Sequence, residues 1–336
     1  MLNIDKIKNA FSDVIGNTHI KTQLSVSMAA AKIQNKSLPH VLFAGAAGCG
    51  KTTMSRLVST AMETPFISAA PGALKDETSI RKEIVTKLPW NGYDAKGNIV
   101  GKIRPAIVFI DEIHGISLKG QELLGIMMEN WLFPSKTSSS GMSPVPMFTL
   151  IGATTLEGTI SKPMRDRFKL VCRFTTYSFT ESIEIAKNYV TSMGLTIDEE
   201  GATSVAARSR GVPRYIIRYL DWLRDYSVLL GVKDLNAKIA EEAFSLMRVD
   251  KSGLTDVDIK ILKCLSQSEK PVGIDTLVIL TNETAKTIEQ AVEPYLIQSG
   301  LIQRTPQGRI ITPTGRNYLE QQGLLEPERL YLAEEV

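Results

Sequence analysis

The stretch Gly45-Ala46-Ala47-Gly48-Cys49-Gly50-Lys51-Thr52 limits what this chain can fold into more than any other. It follows the apolar run Val41-Leu42-Phe43 and opens a pattern, Met54, Leu57, Val58 and Ala61, with the spacing of one helix face. A buried strand, a glycine-rich turn and a helix in that order make a phosphate-binding loop. Gly45, Gly48 and Gly50 let consecutive backbone N–H groups curl around an anion without Cβ clashes, and the helix starting at Lys51 adds the positive end of its dipole. Lys51 is expected to reach the β- and γ-phosphates, Thr52 to hold Mg²⁺ through its hydroxyl, and Thr53 to join them at the nucleotide. Cys49 serves as a small filler. The one Asn-Lys dipeptide, Asn35-Lys36, continues as Ser37-Leu38 and lacks the Asp that reads guanine, so the expected nucleotide is ATP.

A length of 336 residues calls for two or three domains, and 43% apolar with 22% charged residues is the composition of a globular protein. No apolar run approaches a membrane span, and Asp5 and Lys6 interrupt the place a signal peptide would use, so a cytoplasmic protein with no membrane role is expected. Cys49, Cys172 and Cys264 lack zinc-site spacing and do not form a disulfide framework. A net charge of +3 is too small to announce nucleic acid, so any basic footprint must be local.

Along the chain, residues 1 to 40 read as helical, with Ile15-Gly16 turning into a helix that carries Leu24, Val26, Met28, Ala29 and Ile33. Val41 to Ala44, Ile107 to Ile110, Phe148 to Gly152 and Leu170 to Phe174 are short apolar runs, as strands covered on both faces should be. From Tyr177 to about Val249 the pattern is helical, with Thr180 expected as the cap of the first helix and Gly194 as its stop. From Thr255 onward, three helices precede the hairpin pattern Leu301 to Arg304, turn Thr305-Pro306-Gln307-Gly308, and Arg309 to Thr312. That is the order of a winged helix. Residues 326 to 336 read as a loose acidic tail.

Ile107-Val108-Phe109-Ile110 feeds into Asp111-Glu112-Ile113-His114, an apolar strand delivering two carboxylates beside a phosphate loop. Asp111 can hold Mg²⁺ through water and Glu112 can polarise an attacking water, while His114 is assigned only packing or capping. Thr155, at the tip of the next strand, can bond the γ-phosphate or that water, although such a hydroxyl alone would also cap a helix. Arg165 and Arg167 follow a helical turn, from which one of them can reach a neighbouring subunit's γ-phosphate. Such a finger supplies about 10³ to 10⁵ in rate in other nucleotide hydrolases. Gly211-Val212-Pro213-Arg214 puts a cation at a helix N-terminus, a conflict that a bound phosphate removes.

With these motifs in this order, and with Glu293-Pro294-Tyr295-Leu296-Ile297-Gln298 followed by Gln303 to Arg309, the chain resembles the RuvB family over roughly residues 10 to 320. These are hexameric AAA+ motors that drive branch migration of Holliday junctions with RuvA. The resemblance implies an α/β AAA+ P-loop domain with a parallel sheet between helices (1–176), a helical lid (177–250), a C-terminal winged-helix domain (251–325) and a tail (326–336). It further implies a homo-hexamer with ATP at each subunit boundary and duplex DNA through the middle. Residue by residue, Thr155 is similar to sensor 1, Arg167 to the trans-acting finger with Arg165 as the alternative, and Arg214 to sensor 2. Ile15, Gly16, Tyr177 and Pro213 match positions around the adenine.

Three stretches depart from the family pattern. Gly45-Ala46-Ala47-Gly48 replaces Gly-Pro-Pro-Gly, which leaves the backbone amides in place. Leu88 to Pro105 is longer and has the turn signals of an added hairpin. The segment 131–147, where the family docks RuvA, is shortened; its Trp131, Leu132, Phe133, Met142 and Val145 offer a docking tip for a RuvA-like or an unrelated partner.

Arg304, Arg309 and Arg316 lie within the wing and its exit with no acidic residue between them, and are expected to meet duplex or four-way-junction DNA at its phosphates, without base readout. The sequence thus reads as an ATP-driven DNA motor. The alternative is another AAA+ remodeller, such as a clamp or helicase loader, which a protein partner but not DNA would stimulate. A DNA-binding switch that uses ATP only to set its shape would show negligible turnover.

Overall fold

The computed structural model describes residue 7 and residues 9–94, 97–101, 105–135 and 138–325. The expected acidic tail, 326–336, and Lys96 of the added hairpin lie outside the described residues. Two compact units result: one holds the described residues up to Ile185 together with Gly211–Arg214, the other Ala186–Arg210 with the described residues from Tyr215 onward.

The first unit is built on five parallel strands: β1 (Val41–Ala44), β2 (Phe66–Ala69), β3 (Ala106–Ile110), β6 (Phe148–Thr154) and β7 (Leu170–Arg173). Their order in the sheet is β2-β3-β6-β1-β7. Period-two alternation sends Leu42, Val108 and Leu150 to one face and Val41, Phe43, Ile107, Phe109 and Ile151 to the other, and both faces are core. On the first face lie α3 (Glu77–Glu83) and α4 (Leu118–Asn130), through Ile80, Leu123, Leu124 and Met127. On the second lie α1 (Thr18–Gln34) and α2 (Lys51–Met62). In α1 the buried stripe is Ile20, Leu24, Met28 and Ala31; Val26 and Ile33, expected to share it, are more than half exposed.

His40, just before β1, ties three elements together. Leu150 N donates to Nδ1 at 2.8 Å, so Nδ1 is unprotonated and Nε2, 3.1 Å from Met128 O, carries the proton. Burial, with Lys169 adding to it against the Met128 bond, lowers the imidazole pKa to about 4.

Within the Leu88 to Pro105 stretch, Tyr93 and Ile99 form an antiparallel bridge. Segment 131–147 is a short hairpin of β4 (Leu132–Pro134) with β5 (Met142–Pro144). Of the expected apolar docking tip, Phe133 and Val145 are buried in the sheet's core and Trp131 packs on Phe148, while Leu132 and Met142 are half-buried. Helix Phe179–Ser192 is capped by Ser178 instead of Thr180. Ser178 Oγ accepts from Glu181 N while Glu181 Oε2 accepts from Ser178 N, a reciprocal pair that a Ser-x-x-Glu spacing supplies.

The second unit contains helices Glu199–Arg208, Pro213–Leu230 from Tyr215 onward, and Ala237–Met247, then Asp256–Ser266 and Ile274–Thr281. Two short strands, β8 (Thr196–Ile197) and β9 (Asp234–Leu235), pair in parallel among them. The third helix of the winged region is interrupted: a π-helical segment, Ile288–Val292, precedes Glu293–Gln298. Pro294 has no N–H for the carbonyl of Gln290 and its ring presses on that turn, so the backbone widens just ahead of it. The wing is β10 (Ile302–Thr305) with β11 (Gly308–Ile311), and Arg309 also bonds Val272 through both backbone groups. A Cβ on Gly308 would stand 2.5 Å from Val272 O, so only glycine allows that approach.

Arg309 does not face outward as expected. Its Nε donates to Glu293 Oε1 at 2.5 Å and its Nη2 to Glu289 Oε1 at 3.0 Å, with side chains 6% and 2% exposed for Arg309 and Glu293. Two carboxylates one turn apart draw the guanidinium inside. Arg304 stays 57% exposed and pairs with Glu289, while Arg316 Nη1 donates to Ser266 O.

Two outcomes follow. Arg309→Ala strands a buried carboxylate and lowers the unfolding free energy in urea by about 3 kcal/mol, whereas Arg304→Ala costs less than about 1 kcal/mol. His40 is neutral in the fold, so below pH 6.5 the unfolded chain binds more protons. Its contribution is complete above 6.5 and falls by roughly 3 kcal/mol as pH drops towards 4. Urea melts across that window are steeper in pH for the wild type than for His40→Asn.

Candidate functional site

Strand order decides where the chemistry collects. Strand β6 lies between β3 and β1, so the carboxyl ends of these three neighbours bring Asp111, Thr155 and the loop from Gly45 to one rim. The loop is anchored by Gly45 N donating to Thr154 O at 3.1 Å, and Phe174 N bonds Ala44 O beside it. Gly45, Gly48 and Gly50 all have positive φ, and a Cβ at Gly48 would meet Arg214 Cβ at 2.7 Å. Arg214 and Val212 therefore pack against the loop within the first unit.

Lys51 is 6% exposed and bends back under the loop, where Nζ donates to Gly45 O at 2.7 Å and Ala46 O at 2.9 Å. Burial lowers its pKa, Glu112 and Asp111 oppose that, and Arg214 adds to it. Cys49 is buried, and desolvation raises its thiol pKa, in keeping with a filler. Thr52 Oγ1 lies 3.5 Å from Asp111 Oδ2, a hydroxyl and a carboxylate side by side, and Thr53 is exposed in the same helical turn. These are the hard oxygen donors that suit Mg²⁺.

Glu112 has φ +48°, a conformation L-residues adopt only under constraint. Its Oε2 accepts from Thr155 N at 3.1 Å and Thr155 Oγ1 at 3.0 Å, and lies 3.2 Å from His114 Nδ1. The same Nδ1 is 3.0 Å from Thr154 Oγ1, which accepts from Leu156 N. His114 is the functional neighbour that sequence reasoning missed. The only signal was conditional: an imidazole two residues after the second carboxylate turns back onto it once the backbone there is left-handed.

Tyr177 closes the site on another side: its OH donates to Cys49 O at 3.4 Å, its N–H donates to Gly211 O, and a Cβ at Gly16 would stand 2.9 Å from its ring. Ile15 and Pro213 are half-buried nearby in sequence to Gly16 and Arg214. Arg165 is half-buried, and Arg167 is bonded within its own chain to Glu129 and Pro163. The wing arginines are not assembled into one patch, since Arg309 is internal. Among the described residues no helix is long and apolar enough to cross a membrane.

Comparison with known proteins adds three consecutive family matches: the Holliday junction DNA helicase RuvB P-loop domain over residues 8–174, the RuvB AAA lid domain over 177–250, and the RuvB C-terminal winged helix domain over 251–320. The Holliday junction branch migration complex subunit RuvB of Rippkaea orientalis is 36% identical over 335 residues, 97% of this chain and 88% of the relative. RuvB 1 of Synechococcus sp. (strain JA-3-3Ab) is 35% identical over 92% of this chain and 79% of its own length. Among solved structures, the Thermotoga maritima RuvB Holliday junction branch migration motor superposes with a TM-score of 0.77 at 29% identity, covering 94% of this chain and 97% of that one.

Lys51→Ala removes the one buried cation of the loop and is expected to abolish ATP binding in a fluorescent-nucleotide titration. Glu112→Gln is expected to bind ATP normally while lowering turnover by about 100-fold or more in a phosphate-release assay.

Proposed function

Because the chain belongs to the RuvB family, we propose that it is an ATP-driven motor which, as a ring of six, moves duplex DNA and drives the branch point of a four-way junction. The observation that carries this reading is the meeting of Lys51, Thr52, Asp111, Glu112 and Thr155 at one sheet rim, in a chain matched by RuvB domains from residue 8 to 320.

The loop amides and Lys51 hold the triphosphate, with Ile15, Gly16, Tyr177 and Pro213 around the base. Thr52 and Asp111 would hold Mg²⁺, which would neutralise charge on the phosphates. Glu112 orients the attacking water and takes up its proton, and Thr155 and His114 govern where that carboxylate points. Arg214 at its helix N-terminus meets the phosphate that resolves its own electrostatic conflict. Arg167 acts across the boundary on the neighbouring protomer's γ-phosphate. Arg304 and Arg316 remain as wing cations for duplex phosphates, contacts that give affinity without sequence preference.

ATPase rates without DNA, with linear duplex and with a synthetic four-way junction, each with and without a RuvA, test the motor reading. Stimulation by the junction is expected. A lone subunit that hydrolyses at full speed at saturating nucleotide and duplex overturns it. For the finger, Arg167→Ala is expected to keep ATP affinity and lose about 10³-fold in turnover. In mixed rings it deprives the neighbouring wild-type site of its finger.

A further inference from the structure

Arg167 ends the short helix α5 (Lys162–Asp166), and its guanidinium is held at two points. Nη1 donates to Pro163 O at 2.7 Å, Nη2 donates to Glu129 Oε2 at 3.0 Å, and Nε is buried with no partner. Glu129 stands in the last turn of α4, and one turn earlier on the same helix face is Gly125. A Cβ at Gly125 would lie 3.0 Å from Cζ and from Nε of Arg167, and 3.2 Å from Nη1. The guanidinium thus rests on a bare stretch of α4 with a carboxylate at its edge.

We propose that Glu129 and the missing side chain at Gly125 form a cradle that sets the position of the Arg167 guanidinium, making both of them positioning residues for hydrolysis in the neighbouring protomer. The inference rests on the reading of Arg167 as the trans-acting finger. Three physical points carry it. The Glu129 side chain is 55% exposed, and ion pairs that open to water add little to fold stability, so stability does not account for the pair. A glycine inside a helix is costly relative to alanine, and at position 125 an alanine Cβ, 3.0 Å from the resting guanidinium, would press it out of place. Finally, of the five guanidinium N–H groups, Pro163 and Glu129 each take one on a different Nη, which leaves one hydrogen on each Nη for phosphate oxygens. A long side chain fixed beforehand need not lose its rotamer freedom when it meets the phosphate.

The test uses the full-length protein and the variants Glu129→Ala, Glu129→Gln and Gly125→Ala, each alone and mixed with Lys51→Ala. A Lys51→Ala subunit has an empty site but an intact finger, so it can serve a neighbour whose site is intact and whose own finger is misplaced. Glu129→Ala and Gly125→Ala are expected to keep ATP affinity and lose between about 10- and 100-fold in kcat. Mixing either with Lys51→Ala should restore turnover, as it should for Arg167→Ala. Glu129→Gln, which keeps an acceptor oxygen, should fall between, and Gly125→Ala should melt no lower than wild type because alanine favours the helix. Full-speed hydrolysis by Glu129→Ala and Gly125→Ala overturns the cradle. So does a slowing that Lys51→Ala fails to rescue while it does rescue Arg167→Ala, since the defect would then lie in the variant's own site. Failure to rescue Arg167→Ala itself removes the finger reading, and the cradle with it.

Discussion

A desolvated ammonium organises the first unit. Lys51 spends its hydrogen bonds on Gly45 and Ala46 carbonyls, which keeps the loop wrapped around the position an anion would take. Burial works against its charge, and the carboxylates of Glu112 and Asp111 work for it. Those carboxylates are within influence only because β6 separates β1 from β3 and all three strands run the same way. Reversing one strand, or exchanging the order, would leave a lysine buried without compensation, a state that costs far more than a surface change. The sheet order and the loop therefore require each other.

The same rim stores a constraint at Glu112. Its left-handed backbone costs on the order of 1 to 3 kcal/mol, which the surrounding bonds must offset. They come from Thr155, through both its N–H and its hydroxyl, and from His114 beside it. Three contacts from two residues, Thr155 and His114, therefore fix where the carboxylate points.

Periodicity made most of this legible. Strands β1, β3, β6 and β7 lie over the apolar runs of the sequence, with Thr149 interrupting the run in β6. Strand β2 escaped because Ser68 breaks the apolar run and Thr64-Pro65 reads as a turn, yet Phe66–Ala69 pairs with β3 along its whole length. In α1 the apolar residues Val26 and Ile33 suggested a face that the buried Ile20, Leu24 and Met28 do not share, because an exposed apolar residue carries no mark in the sequence. The phosphate loop and the acidic pair were readable from spacing alone. His114 was not, since its role depends on a backbone conformation at Glu112 that no pattern announces.

Arginines show the limit most sharply, because chemically identical side chains meet different ends according to which carboxylate lies near. Arg309 sits beside Arg304 in the paired strands, and nothing local in the sequence distinguishes them. Both pair with Glu289 on the third helix, and what sets Arg309 apart is its close, buried bond to Glu293, four residues further on. Arg210 is similarly taken by Asp258, with the Gly253 carbonyl completing its donors and the Tyr295 ring 4.2 Å away. Asp258 in turn accepts from Thr255 N and Oγ1, so one buried carboxylate both starts a helix and neutralises an arginine. Removing charge from such a site leaves a partner stranded, which is why these arginines resist being read as surface cations. In the wing, Glu293 fastens Arg309, and so strand β11, to the third helix.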